Sequence, residues 1–196
     1  RITEQAKVLH ELSFDEAAEM ATFGAKVLHP DTMIPALRQD IRVFVGSSFA
    51  PEKGGTWIMR DCVEEPPFRS ITRRSDQVMA TFKVLKGLAS TALMTRIFSI
   101  FQEYDVEVDL ITMSETTVSI SMDNKALSPW NTHQAAVLSK LKEFCEVNIE
   151  PGFNLITIVG NNLHNFPGTS GQIFTAINDY PVRMICYGAN PHNISF

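Results

Sequence analysis

Apolar and polar positions divide the chain into two blocks with different periods. In the first, Ser13-Phe14-Asp15-Glu16 is a capping box, with Glu16 three residues after Ser13. It opens an Ala-, Met- and Glu-rich stretch that predicts a helix over 14–28. His29-Pro30 ends it, because proline cannot continue the hydrogen-bond ladder. A shorter helix is predicted over 32–39 with Asp31 as its cap. Strands are predicted at 41–45 and 56–58, separated by the Gly54-Gly55 turn. Glu64-Glu65-Pro66-Pro67 reads as a linker.

The second block repeats. A strand at 78–85 leads through the small-residue loop Gly87 to Thr91 into an amphipathic helix with Met94, Ile97, Phe98 and Phe101 on one face. Strands at 108–111 and 118–122 flank a polar turn at Ser114-Glu115. A helix over 132–145 and a strand at 147–149 complete the order β-α-β-β-α-β, a ferredoxin-like arrangement. The pattern then restarts with a strand at 155–159, a Gly/Asn/Ser loop at 160–171, a helix at 173–180 and strands at 182–185 and 194–195. The second helix and closing strand of this copy are missing. With Arg1 as the first residue, the expectation is a piece of a longer chain: 1–67 from one domain, 68–150 a first module whose opening strand could belong to the second, and 151–196 a second, truncated module.

Composition narrows the function classes. A net charge of −5 without a long basic run argues against nucleic-acid or anionic-membrane partners. No apolar stretch approaches the roughly 20 residues needed to span a bilayer. Cys62, Cys145 and Cys186 are odd in number and far apart, which fits neither a disulfide framework nor a zinc site. They read as reduced, mostly buried thiols of a cytoplasmic protein, and no metal site is expected. Scattered histidines and the lack of a P-loop or nucleophile elbow leave no complete catalytic constellation.

The strongest candidate site is the loop between the first strand and first helix of each module. It places free backbone N–H groups at a helix N-terminus, which suits a carboxylate. In the first module the donors come from Ser90 to Met94, and Asp109 and Glu115 supply negative charge. Donors for a carboxylate and acids for ammonium groups are what a free amino acid requires. The same spacing also fits two solvated acids at strand ends. Lys26, near a helix end, reads by itself as a solvated cation offsetting the helix dipole, and Asp15 and Glu16 read as helix-start electrostatics.

The run Phe14 to Pro30, FDEAAEMATFGAKVLHP, closely resembles the end of the kinase domain in aspartokinases, and Val43-Phe44-Val45-Gly46-Ser47-Ser48 and Gly54-Gly55-Thr56 fit the same pattern. Val108-Asp109-Leu110-Ile111-Thr112-Met113-Ser114-Glu115 is similar to the effector-site strand and turn of a first ACT domain. Met184-Ile185-Cys186-Tyr187-Gly188-Ala189 and His192-Asn193 are similar to the second ACT domain of the lysine-sensitive class.

The resemblance implies an α+β chain: tandem ferredoxin-like ACT domains preceded by the C-terminal fragment of an α/β amino-acid-kinase domain. The parent enzyme would use ATP with Mg to phosphorylate the β-carboxylate of aspartate, the first step towards lysine, threonine and methionine. Lys26 and Val27 match its ATP contacts; the other active-site residues lie upstream, so the fragment alone is expected to be inactive and to need no cofactor. L-Lysine would bind as feedback inhibitor between paired first ACT domains of a homodimer or tetramer, at Gly87, Ser90, Leu93, Met94, Glu107, Val108, Asp109, Ser114 and Glu115. Backbone at Ser90 to Met94 would take the carboxylate, Asp109 the α-ammonium, and Glu115 would help with the side-chain ammonium. Gly87, Ala89 and Ala92 stand where the lysine-sensitive pattern has methionine, histidine and glycine, so threonine and S-adenosylmethionine remain alternative effectors. A ligand-free dimerisation platform, or the kinase part of a fusion with homoserine dehydrogenase or diaminopimelate decarboxylase, are alternative readings of the whole.

Overall fold

A computed structural model of the chain describes residues 6–23, 28–62, 67–84 and 90–196. It has mixed α+β architecture and divides into two compact units, each assembled from distant parts of the sequence. One comprises 1–73, 156–181 and 187–194; the other comprises 74–155, 182–186 and 195–196.

In the first unit, β1 (Glu11–Ser13) pairs in parallel with β3 (Gly55–Met59), and β2 (Val43–Gly46) pairs antiparallel with β3, giving the order β1-β3-β2. Helices α1 (Phe14–Thr22) and α2 (Pro30–Arg38) supply Phe14, Ala17 and Met33 to a small core closed by Ile58. The capping box forms as its spacing predicts: Glu16 N–H donates to Ser13 Oγ at 3.1 Å, and Ser13 N–H donates to Glu16 Oε2 at 2.7 Å. The cap of α2 differs from expectation. His29 Nδ1, not Asp31, accepts the end N–H, because Pro30 occupies the first helical position and shifts the start upstream.

Glu16 does more than cap. Its side chain is fully buried, and its Oε1 accepts from Arg69 Nε at 2.8 Å in an ion pair whose arginine is only 3% exposed. One turn on, Glu19 accepts from the side-chain amides of Asn190 and Asn193. The segment carrying those asparagines is fixed in turn by backbone bonds from Gly160 N–H to the His192 carbonyl (2.9 Å) and from Leu163 N–H to the Pro191 carbonyl (2.8 Å). Gly160 has no room for a side chain: a Cβ there would lie 1.9 Å from the Pro67 carbonyl oxygen and 2.5 Å from Leu163 Cδ2. Gly160→Ala is therefore expected to destabilise the chain by about 1–3 kcal/mol or more through forced backbone movement, read as a lower midpoint in urea unfolding; an unchanged midpoint would contradict the crowding.

Residues 70–159 carry the element order β4 (Ser70–Val84), α3 (Ser90–Glu103), β5 (Leu110–Met113), β6 (Thr117–Asp123), α4 (Pro129–Leu141) and β7 (Cys145–Val159), the expected β-α-β-β-α-β order. With β8 (Cys186–Tyr187) and β9 (Asn193–Ser195), the strand order is β5-β6-β4-β7-β9-β8. Alternate residues of β6 (Val118, Ile120, Met122) and β4 (Val78, Ala80, Phe82) point inwards and meet Leu93, Ile97 and Phe101 of α3 and Trp130, Val137 and Leu141 of α4. Phe101 lies against Phe82 (centroids 6.1 Å apart, edge-on) and Trp130 (6.5 Å).

Several boundaries move. β4 begins at Ser70, not near 78, because Thr72 to Asp76 is too polar to register as a strand. The strands expected at 147–149 and 155–159 are one: β7 runs through Pro151-Gly152, with Gly152 in the left-handed region (φ 91°). Helix α4 starts at Pro129, capped by Ser128, because proline is well placed in a first turn. Helix α5 (Thr169–Ala176) starts earlier than expected. Residues 182–185, expected as a strand, make no ladder; the short β8 follows them.

Candidate functional site

The sheet register decides which predicted site residues can meet. Strand β6 pairs antiparallel with both neighbours, Met113 opposite Val118 and Leu110 opposite Ser121 on one side, Lys83 opposite Thr117 and Gln77 opposite Asp123 on the other. The Ser114-Glu115 turn therefore lies at the end where β4 finishes, and Val84 N–H donates to the Thr116 carbonyl at 2.9 Å. Asp109 lies at the opposite end, beside the N-terminal half of β4. The five residue steps from Asp109 to Ser114 amount to about 17 Å of extended chain, beyond the reach of one lysine side chain. Within one chain, Asp109 and Glu115 do not converge.

At the turn end, Ser114 and Glu115 are exposed, and Ser114 N–H closes the turn on the Thr117 carbonyl at 2.8 Å. The first N–H groups of α3 begin at Ser90. Leu93 is fully buried in the core, so only its backbone is available to a ligand; Met94 is half-buried. At the other end, Glu107 is exposed and Val108 half-buried. Lys26, Val27 and Gly87, and with them Ala89, lie outside the described residues.

Asp109 is enclosed by donors that the sequence did not point to. Its side chain is 11% exposed, and Oδ1 accepts from Arg74 Nη1. With the amide of Gln77 oriented to satisfy its surroundings, its nitrogen donates to Asp109 Oδ2 at 2.7 Å and to the Met122 carbonyl at 3.2 Å. Gln77 is itself 1% exposed. Arg74 faces a second acid, with Nη2 3.6 Å from Asp123 Oδ2. Burial raises the Asp109 carboxyl above its usual range, and the Arg74 charge and hydrogen bond only partly offset it. Burial also opposes the charge on Asp123, but hydrogen bonds from Lys125 and the Arg74 charge outweigh it and hold that carboxyl below its usual range. The signal that could have identified this cluster is the Arg73-Arg74 pair at the head of a strand whose partner ends in Asp123; nothing local in the sequence connects it to Asp109.

The cysteines are suited to packing. Burial pushes the Cys145 thiol up to about 11, and burial with Glu16 nearby pushes Cys62 to about 11. Burial also raises Cys186, whose Sγ donates to the Ile111 carbonyl at 3.3 Å. Such thiols hold little thiolate at neutral pH. Among the described residues, no group of three or more His, Cys, Asp or Glu side chains is placed to hold a metal, and no helix is long and apolar enough to cross a membrane.

Residues 1–47 match the amino acid kinase family and residues 156–196 match the ACT domain. Lysine-sensitive aspartokinase 3 of Escherichia coli K12 is 40% identical over 198 residues, covering all of this chain and 44% of that protein. The chloroplastic aspartokinase 1 of Arabidopsis thaliana is 33% identical over 204 residues, covering all of this chain and 35% of that protein. The chain thus spans less than half the length of these relatives. Crystal structures of E. coli aspartokinase III superimpose over the whole chain and 44% of theirs, with TM-scores of 0.88 for the complex with aspartate and ADP (R-state) and 0.85 for the complex with lysine and aspartate (T-state), both at 40% identity. Over its whole length the chain is similar to aspartokinases.

Proposed function

We propose that this chain is the regulatory region, with the tail of the catalytic domain, of an enzyme that transfers the γ-phosphoryl of ATP to the β-carboxylate of aspartate, and that it binds L-lysine as a feedback inhibitor. The observation that carries the reading is whole-chain similarity to an aspartokinase III solved with lysine and aspartate. In the parent, which we place in the cytoplasm, Lys26 and Val27 contact ATP, and Lys26 steadies phosphate charge as a point cation; Mg, when bound with ATP, would supply further neutralisation of that charge. Residues 68–150 form the first sensing module and 151–196 part of the second.

Register supports a site made by two copies. Because Asp109 and Glu115 stand at opposite ends of β5, one lysine can use both acids only if they come from different protomers of a homodimer. Backbone donors at the start of α3 take the carboxylate, Asp109 the α-ammonium and Glu115 the side-chain ammonium. Inhibition follows if lysine binds the inactive assembly better than the active one, which biases the kinase part by that difference in affinity.

A second reading has its own observation: Asp109 already has a cation, Arg74, so the module could serve as a ligand-free dimerisation platform. Calorimetry and thermal shift on the 196-residue chain separate the two. Lysine at about 100 times its Kd should add roughly 2.7 kcal/mol of stability, and Asp109→Ala should abolish that gain. No response to lysine, threonine, methionine or S-adenosylmethionine favours the platform; an unchanged lysine affinity in Asp109→Ala removes Asp109 from the site.

A further inference from the structure

We propose that Arg74 is a built-in stand-in for the effector's ammonium: it neutralises Asp109 when the site is empty and moves onto Asp123 when a ligand ammonium arrives. The inference rests on the reading of Asp109 as an ammonium acceptor. It concerns the residue that sets how tightly that acid binds.

Arg74 is the only hydrogen-bonded cation at Asp109 among the described residues, and its guanidinium reaches two acids from one position. Nη1 donates to Asp109, and Nη2 lies 3.6 Å from Asp123, too far for a hydrogen bond but close enough for an ion pair. The fork is therefore engaged with one acid and only approaches the other. Gln77 holds the second oxygen of Asp109 from inside the protein, leaving Arg74 as the partner that must yield to an incoming cation. An ammonium seated on Asp109 beside an unmoved guanidinium would put two positive charges within about 4–6 Å, a placement worth one to three pKa units of repulsion. Asp123 offers the guanidinium another place, and its existing partner Lys125 is largely exposed and can be released to water. Burial keeps the Asp109 carboxyl raised even with Arg74 in contact, so Arg74 satisfies the acid incompletely and a small, well-seated ammonium can improve on it.

Two variants test the exchange by calorimetry with L-lysine and by thermal melting, on the full chain. Arg74→Met keeps the aliphatic stem and removes the competitor; its Kd should fall by about tenfold or more. Its ligand-free form should melt lower than the parent, and saturating lysine should recover most of that difference. Asp123→Asn removes the alternative position for the guanidinium and should weaken lysine binding. If Arg74→Met binds lysine equally or more weakly while the parent still binds it through Asp109, Arg74 merely supports the acid and the proposal fails, although the effector reading stands. If Arg74→Met does not fold, Asp123→Asn decides alone, and unchanged or tighter binding overturns the exchange. If the parent binds no lysine, both the effector reading and the exchange fall.

Discussion

Glu16→Ala is expected to lower the unfolding free energy by about 3–5 kcal/mol, because it leaves the guanidinium of Arg69 buried without its carboxylate. The arginine is 3% exposed and cannot turn to water without opening the unit. The same substitution removes half of the capping box, worth up to about another 1 kcal/mol, by freeing the Ser13 N–H. For a chain of this size the sum corresponds to a fall in Tm on the order of 10 °C. A double-mutant cycle with Arg69→Ala should show that the two losses are not additive, since both deletions break the same ion pair. A single-variant loss below about 1 kcal/mol would mean that water reaches the pair and that it behaves as an exposed one.

The second large effect is expected in the other unit. Phe101→Ala should cost about 3–5 kcal/mol, the range for deleting a buried aromatic ring. Phe101 is 1% exposed and stands between Phe82 of β4 and Trp130 of α4, so the void opens where both helices meet the sheet. Urea unfolding measures the loss, and near-UV circular dichroism should show Trp130 losing its fixed surroundings. If lysine binds this module, the variant should also lose its lysine-dependent thermal shift at temperatures where the parent retains it. A cost near 1 kcal/mol would show that the site collapses around the smaller side chain. Phe101→Leu should fall between the two.

What could be read from the sequence and what could not differ by the range of the interactions involved. The capping box was legible because Ser13 and Glu16 are three residues apart and one helical turn brings them together. The β-α-β-β-α-β order was legible because Val118, Ile120 and Met122 alternate while Met94, Ile97, Phe98 and Phe101 recur at helical spacing, although the structure buries Leu93 fully and Met94 and Phe98 only in part. The polar half of β4 was missed because Thr72 to Asp76 is set as a strand by its neighbours rather than by its own composition. Two strands were expected at 147–149 and 155–159, yet β7 continues through Pro151-Gly152 as one. Within the candidate site, residue types could be named but not their geometry. Only the register separates Asp109 from Glu115, and only tertiary folding brings Arg74, 35 residues away, onto Asp109. Glu16 read correctly as a capping residue and incompletely as a charge, since its partner Arg69 lies 53 residues further on.

The grip of Glu19 on Asn190 and Asn193 has a consequence for the order in which the chain can mature. Its partners lie 171 and 174 residues downstream. A ribosome delivers α1 long before either asparagine, and the unit to which α1 belongs cannot acquire these bonds until translation has reached Asn193. Contacts of such separation close slowly and late. During synthesis the nascent N-terminal part holds an unsatisfied acidic helix face. Shortening the chain before Asn190 should therefore impair the folding of its beginning as well as its end.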